Sequence, residues 1–284
     1  MKKTKRIQKI KKVKKIILQV SEVAEYLWQR GWAERNAGNI SVNINDLIDD
    51  TMELDLEEHN HFKLEKSFPA LANMVFFVTG TGKRMRDLAR KPLKNALIIK
   101  LDKTGSSFWI ISHRKNEKNF LPTSELPTHL AIHEKFVQSG SKNRVVMHAH
   151  TNELVALTHI EEFTDAKTLN KVLFGMHPEA IIFIPKGLGF VEYAETGSVE
   201  IAEKTLKLIE HHDIVLWEKH GVFAVGEDVL STFDMIDILT KSAKIYFMCK
   251  WAGYEPKGLS EEELKALGKV SVRLRKLVNM EIDY

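Results

Sequence analysis

Cysteine is almost missing from this chain: Cys249 is the single one in 284 residues. No internal disulfide can form and no cysteine cluster can bind metal, which fits a reducing compartment. Long apolar runs are also missing. None approaches the ~18–20 residues of a membrane span. The N-terminal stretch lacks the apolar core of a secretory leader, and it is lysine-rich rather than Arg/Ser-rich as a mitochondrial transit peptide would be. A cytoplasmic location with no membrane partner is therefore expected. There is no internal repeat and no linker rich in Pro, Gly or Ser. The expected organisation is a basic arm over 1–15 and one domain over 16–284, long enough to bury a full core unaided.

Acidic residues are absent from 1–15, where nine Lys and Arg gather. The other 269 residues hold 33 basic against 38 acidic groups, a net of −5. The overall charge of +4 is thus the property of a local arm, and nucleic-acid binding by the folded body finds no support. Apolar residues from Ile7 to Leu27 recur at steps of three and four. This spacing predicts a helix from the arm to about Gln29, ending near Gly31. The arm reads either as a solvated extension of that helix or as a tether to an anionic surface or RNA.

Further along, 40–44, 74–78, 96–101, 108–112, 144–150, 180–185 and 214–217 read as strands. The stretches 152–159, 199–211 and 228–251 read as helices, as does a segment opening at Pro122 and running to about Val137. Residues 45–67 are polar and irregular. A last helix begins at Ser260, whose Ser-Glu-Glu-Glu is a capping box. Without regular βαβ spacing, the pattern predicts an α/β protein with a mixed, largely antiparallel sheet and helices on its faces.

Twelve histidines stand where the cysteines do not. In Met147-His148-Ala149-His150, strand alternation puts both imidazoles on one face, close enough to grip one ion. Neutral imidazole suits Zn²⁺. His220 follows the strand 214–217 and precedes a glycine. With the other two it could complete a three-histidine site with an open fourth position, as in catalytic zinc. The alternative is hydrogen-bonded core histidines. His113, His129 and His211-His212 read as surface or packing residues.

Glu125 follows Thr123 and Ser124 at a helix start, where backbone amides, the dipole and two hydroxyls suit a phosphate. Beside it, Glu125 could act as a general base; the alternative is an N-terminal cap by Thr123 or Ser124, with Glu125 merely favourable to the dipole. Thr79-Gly80-Thr81-Gly82-Lys83 fails the Walker pattern, since Phe77 stands where its first glycine belongs and Arg84 follows the lysine. As a turn after a strand it could still present amides to phosphate. Asn36-Ala37-Gly38-Asn39 is a second such turn.

Five segments in order resemble the class II aldolase and adducin family: Gly31 to Asn39, Val78 to Lys83, Pro122 to Pro127, Met147 to Asn152, and Leu216 to Phe223. The Trp-x-Glu-Arg-Asn and Pro-Thr-Ser-Glu-Leu-Pro forms resemble its rhamnulose-phosphate branch rather than the shorter fuculose branch. The resemblance covers roughly 20–270. It implies a single-domain, three-layer α/β/α fold with a central, largely antiparallel mixed sheet, and a homotetramer with active sites at subunit interfaces. It implies cleavage of a small-molecule sugar phosphate with one Zn²⁺ per subunit. His148, His150 and His220 would be the metal ligands, with Glu125 catalytic. Asn36, Asn39, Thr81, Gly82, Thr123 and Ser124 would form the phosphate pocket, and Glu179 would be a further carboxylate given to a neighbouring subunit. Other sugar-phosphate aldolases or epimerases, and a non-catalytic adducin-like binding domain, share this scaffold. The basic arm departs from the pattern, and Thr81 stands where serine is expected while keeping the hydroxyl.

Overall fold

The structure is a computed structural model, and it describes residues 2–48, 61–112, 120–195 and 198–270, with no side chains described before residue 9. His113 and the 49–60 part of the polar stretch lie outside these residues. The chain falls into two compact units. One comprises residues up to 150 together with 225–232, and the other comprises 151–224 with 233 onward.

The first unit opens with α1 (Lys2–Gln29), a single helix that runs through the basic arm without a break. Its stripe is buried from Val20 through Val23, Ala24 and Leu27, whereas Ile10 and Leu18 are exposed. Lys9 Nζ donates to the Ile48 carbonyl at 3.1 Å, so the arm is bonded to the body. The helix stops where expected: Gly31 takes a left-handed φ of 74°, and Trp32 N–H reaches back to Leu27 O at 2.9 Å.

Then come β1 (Asn39–Asn43), β2 (His61–Lys63), β3 (Val75–Thr79), α2 (Met85–Arg90), α3 (Pro92–Asn95), β4 (Ala96–Leu101), β5 (Ser107–Ile110), α4 (Leu126–Ser139) and β6 (Val145–Ala149). The strand order is β2-β5-β4-β3-β1-β6, and its recorded pairings are antiparallel. Register decides which side chains share a face. Ser41 lies opposite Val78 on one side and Val146 on the other, and Asn39 lies opposite His148. Directly opposed residues project together. One face therefore carries Phe76, Val78, Leu97 and Ile99 toward one end, and Ser41, Asn39 and His148 toward the other. α4 lies along this face. Leu126 and Leu130 join the apolar cluster of Phe76, Val78, Leu97, Ile99 and Leu101, while His129 and His133 meet Ser41.

The second unit contains α5 (Asn152–Leu157), α6 (Ala166–Met176), α7 (Pro178–Phe183), β7 (Leu188–Val191), α8 (Val199–Ile209), β8 (Ile214–Trp217), most of β9 (Gly221–Gly226) and most of α9 (Val229–Trp251). β7 runs parallel to β8 and β8 antiparallel to β9, which makes the arrangement mixed, as expected. α8 packs on β7 and β8, with Trp217 Nε1 donating to Thr205 Oγ1 at 2.8 Å.

The expectation of a strand over 180–185 is overturned, because α7 occupies it. His177 is extended and Pro178 takes the first helical turn. Proline's fixed φ suits that turn, and Glu179 complements the dipole, so the β-branched Ile181 and Ile182 are helical despite their propensity. The strand is instead β7, hidden in a glycine-bearing stretch. A Cβ at Gly189 would meet Leu208, His212 and Val215 at 3.1–3.2 Å, so this glycine lets α8 approach. The capping box at Ser260 forms in both directions: Ser260 N–H donates to Glu263 Oε2 at 2.7 Å, and Glu263 N–H to Ser260 Oγ at 3.3 Å. Among the described residues no helix is long and apolar enough to cross a membrane.

Candidate active site

His148 lies on β6, fully buried, and His150 follows the strand's end, half-buried. Their Nε2 atoms are 3.2 Å apart. Two nitrogens bound at ~2.0–2.1 Å to one tetrahedral zinc stand about 3.3–3.4 Å apart, so the pair is already set to the edge of such a site. Glu34 orients the second ring: its Oε1 accepts from His150 Nδ1 at 2.8 Å, the usual device that leaves the other nitrogen for metal. The Gly31–Asn39 segment also fixes His150 through its backbone, with His150 N–H donating to Trp32 O at 2.9 Å. Sequence reasoning missed Glu34, although it stands inside the quoted Trp-x-Glu-Arg-Asn pattern.

His220 sits in the turn between β8 and β9. Lys219 before it has a φ of 58° and donates its N–H to Thr158 Oγ1 at 2.8 Å. Trp217 packs beside the His220 ring, centroids 5.2 Å apart. His148 and His150 lie in the first unit and His220 in the second, each offering a ring nitrogen.

Glu125 occupies the N-cap position of α4, but its side chain makes no capping bond. Thr123 Oγ1 accepts the Glu125 N–H at 3.3 Å. Thr123 thus supplies the kind of bond a cap makes at this helix start, and the Glu125 carboxylate is not used for capping. Glu125 Oε1 lies 4.0 Å from His148 Nε2, and Oε2 is buried with no hydrogen-bond partner among the described residues. Burial pushes this carboxyl above its ordinary value, opposed by a hydrogen bond from Asn39 and by His150. A half-buried carboxylate with one buried, orphaned oxygen beside two poised imidazoles is a site prepared for a further group.

The expected phosphate elements converge in the first unit. Gly80 forms a bridge to Pro122, Thr81 N–H donates to Leu121 O at 2.8 Å, and Thr123 N–H donates to Thr79 O at 2.8 Å. Ile40 N–H, just after the Asn36–Asn39 turn, donates to Thr79 Oγ1 at 3.2 Å. The amides of Gly80, Thr81 and Lys83 are all taken by carbonyls. What this loop offers an anion is the Thr81 hydroxyl and the Gly82 N–H, at a φ of 67° with open space around it, and not a nest of amides. Asn36, Thr81 and Ser124 are exposed, whereas Thr123 and Asn39 are buried. Glu179 belongs to the second unit, its Oε2 3.0 Å from His177 Nε2. His129 and His133 take the packing alternative, and their bonding to Ser41 was missed; the one signal was the four-residue histidine spacing on a helix.

Residues 18–247 match the family described as Class II Aldolase and Adducin N-terminal domain. A rhamnulose-1-phosphate aldolase of Bacteroides thetaiotaomicron is 44% identical over 250 residues, covering 88% of this chain and 91% of that protein. The protein of the same name from Escherichia coli K12 is 35% identical over 244 residues, covering 85% and 88%. Among solved structures, a sugar-phosphate aldolase from Thermotoga maritima is 33% identical with a TM-score of 0.70, covering 87% of this chain and 99% of that one. With its match spanning both β6 and the β8–β9 turn, this chain belongs to the class II aldolase and adducin family.

Proposed function

We propose that this protein is a zinc-dependent aldolase that cleaves L-rhamnulose 1-phosphate to dihydroxyacetone phosphate and L-lactaldehyde. The observation that carries the reading is the half-buried Glu125, its Oε2 buried and unpartnered and its Oε1 4.0 Å from the first of two imidazoles whose nitrogens are spaced for one ion. The rhamnulose-1-phosphate aldolases similar to this chain over most of its length support the choice of substrate.

His148, His150 and His220 hold the metal in this reading, and a divalent ion there supplies electrophilic polarisation of the substrate carbonyl and stabilises developing negative charge. The chain's own groups do the rest. Asn36, Asn39, Thr81, Gly82, Thr123 and Ser124 bind the phosphate, and that remote binding energy positions the reacting carbons. When the C3–C4 bond breaks, the C4 hydroxyl loses its proton and C3 must gain one. Glu125 holds the proton delivered to C3, and its raised affinity for protons suits that task at neutral pH. The protein works as a homotetramer in the cytoplasm, with Glu179 contributed to a neighbouring subunit's site.

The test is a cleavage assay across L-rhamnulose, L-fuculose and L-ribulose phosphates, with chelation and zinc add-back. Rhamnulose 1-phosphate is expected to give the highest kcat/KM, lost on chelation and restored by zinc. Equal rates on all three, or activity indifferent to chelator, would overturn the assignment.

A further inference from the structure

Two fully buried histidines stand behind the proposed catalytic carboxylate. His129 and His133 lie four residues apart on α4, 0% and 1% exposed, and so project from one helix face. Ser41 Oγ is 2.7 Å from His129 Nδ1 and 2.8 Å from His133 Nε2. His129 Nε2 meets Asn39 Oδ1, and Asn39 acts on Glu125 as a donor would, favouring its charged form. Hydrogen bonds therefore join His133, Ser41, His129 and Asn39, and the run ends against Glu125.

The proton order along it follows from its ends. Burial holds both imidazoles neutral: the His129 pKa is pushed down to about 3, and that of His133 falls well below its ordinary value, helped by His129 and Arg144. Each neutral ring then has one donor and one acceptor nitrogen. In one order His133 Nε2–H donates to Ser41, Ser41 Oγ–H to His129 Nδ1, His129 Nε2–H to Asn39 Oδ1, and Asn39 N–H to the Glu125 carboxylate. The reverse order turns the Asn39 carbonyl toward Glu125 and places a proton on His133 Nδ1. That nitrogen is buried with no partner among the described residues. In the first order it is a bare lone pair. In the reverse it is a buried N–H without an acceptor, the costlier defect.

We propose that His129, backed by Ser41 and His133, is a positioning residue that locks the Asn39 carboxamide with its N–H toward Glu125 and so fixes the carboxylate for proton delivery. This rests on Glu125 being the proton-transfer group. An asparagine with a mobile neighbour could flip its amide and present oxygen to oxygen; the directional chain removes that state.

Two measurements on the full-length, zinc-loaded protein test it. Nitrogen-15 NMR of the labelled histidines is expected to show His129 and His133 both as Nε2–H tautomers, and an Nδ1–H signal from either overturns the order. The His129→Leu variant is expected to lower kcat for sugar-phosphate cleavage by about 10–100-fold, a larger change than any rise in KM through the shared Asn39, with bound zinc unchanged. His129→Gln, whose amide can place an N–H where Nε2–H stood, is expected to recover kcat to within a few-fold of wild type. Unchanged kcat per zinc-loaded molecule in His129→Leu, or equal losses in both variants, overturns the positioning role. Should His129→Leu fail to fold, Ser41→Ala deletes a single oxygen and is expected to leave His129 as a tautomer mixture; a pure Nε2–H signal there overturns the chain. Failure of the underlying reading shows elsewhere: full turnover in Glu125→Gln dismisses Glu125 without altering the tautomers.

Discussion

Glu125 and His148 are separated by 4.0 Å, yet their substitutions are expected to fail differently. Glu125→Gln keeps the side chain's shape and the Asn39 contact while removing the exchangeable proton. Its kcat is expected to fall by about 10²–10⁴-fold with bound metal near one per subunit, read by turnover alongside elemental analysis. Near-normal turnover would remove Glu125 from the chemistry. His148→Ala takes away a buried ligand, so metal and activity should vanish together; a zinc-loaded, active variant would contradict the ligand set. Glu34→Gln should act more gently. Its contact with His150 Nδ1 is largely exposed, so weaker metal binding is expected in a competition titration while kcat at saturating metal holds.

At the level of elements, the Thr79–Lys83 loop is tied into the site by contacts its own sequence does not reveal. A Cβ at Gly80 would stand 2.0 Å from the Phe120 ring. That ring also lies under Lys83, whose Nζ is 4.4 Å from its centroid. Gly80→Ala must therefore displace Phe120 or the loop, at a cost of about 1–3 kcal/mol, and move the Thr81 hydroxyl and Gly82 N–H. A raised KM for the sugar phosphate with a lowered unfolding midpoint is expected; unchanged KM would separate this loop from phosphate binding. Most elements were legible in the sequence because their period was strong: α1, β3, β4, β6, β8 and α9 appear close to where alternation or three-and-four spacing puts them. α2, α3, α6, β2 and β9 went unread, and α7 and β7 were misplaced for opposite reasons. Residues 180–185 are apolar and β-branched but begin behind a proline that starts a helix, while β7 contains a glycine that only the approach of α8 explains.

For the whole molecule, the buried imidazoles set how stability follows pH. His129 and His133 have folded pKa values below the ordinary 6.5. Between 6.5 and those values the unfolded chain binds more protons than the folded one. Stability therefore falls as pH drops below 6.5, by up to about 1.4 kcal/mol per pH unit for each such histidine. Asp102 does not compensate in this range. Burial works against its charge, but bonds from the Thr104 hydroxyl and the Ser106 and Ser107 amides prevail and lower its pKa to about 2. Its contribution is thus present above its ordinary value of 3.8 and lost only below that. The urea midpoint is expected to be lower at pH 5 than at pH 7, with a flatter dependence in the His129→Gln/His133→Gln double variant; an unchanged wild-type midpoint would contradict the buried, neutral state. A shared site makes a further prediction. Mixing inactive Glu125→Gln and Glu179→Gln subunits should regain activity if Glu179 serves a neighbour, and no recovery would confine each site to one chain.

Composition and short-range pattern alone determined much about this protein. One cysteine excluded a cysteine metal cluster and twelve histidines left room for an imidazole site, and His148-Ala149-His150 on a strand had to face one way, because alternation is a local property of extended backbone. The same holds for the Pro-Thr-Ser-Glu helix start and the capping box at Ser260. Tertiary structure decided what depends on strands and helices far apart in the chain. The β1–β6 register set Asn39 opposite His148. The packing of α4 decided between surface and packing for His129 and His133, and buried both behind Glu125. The folding of 122–125 against 79–81 consumed amides that the glycines seemed to offer. Each is a matter of which distant backbone occupies the space beside a residue, and no local period encodes that.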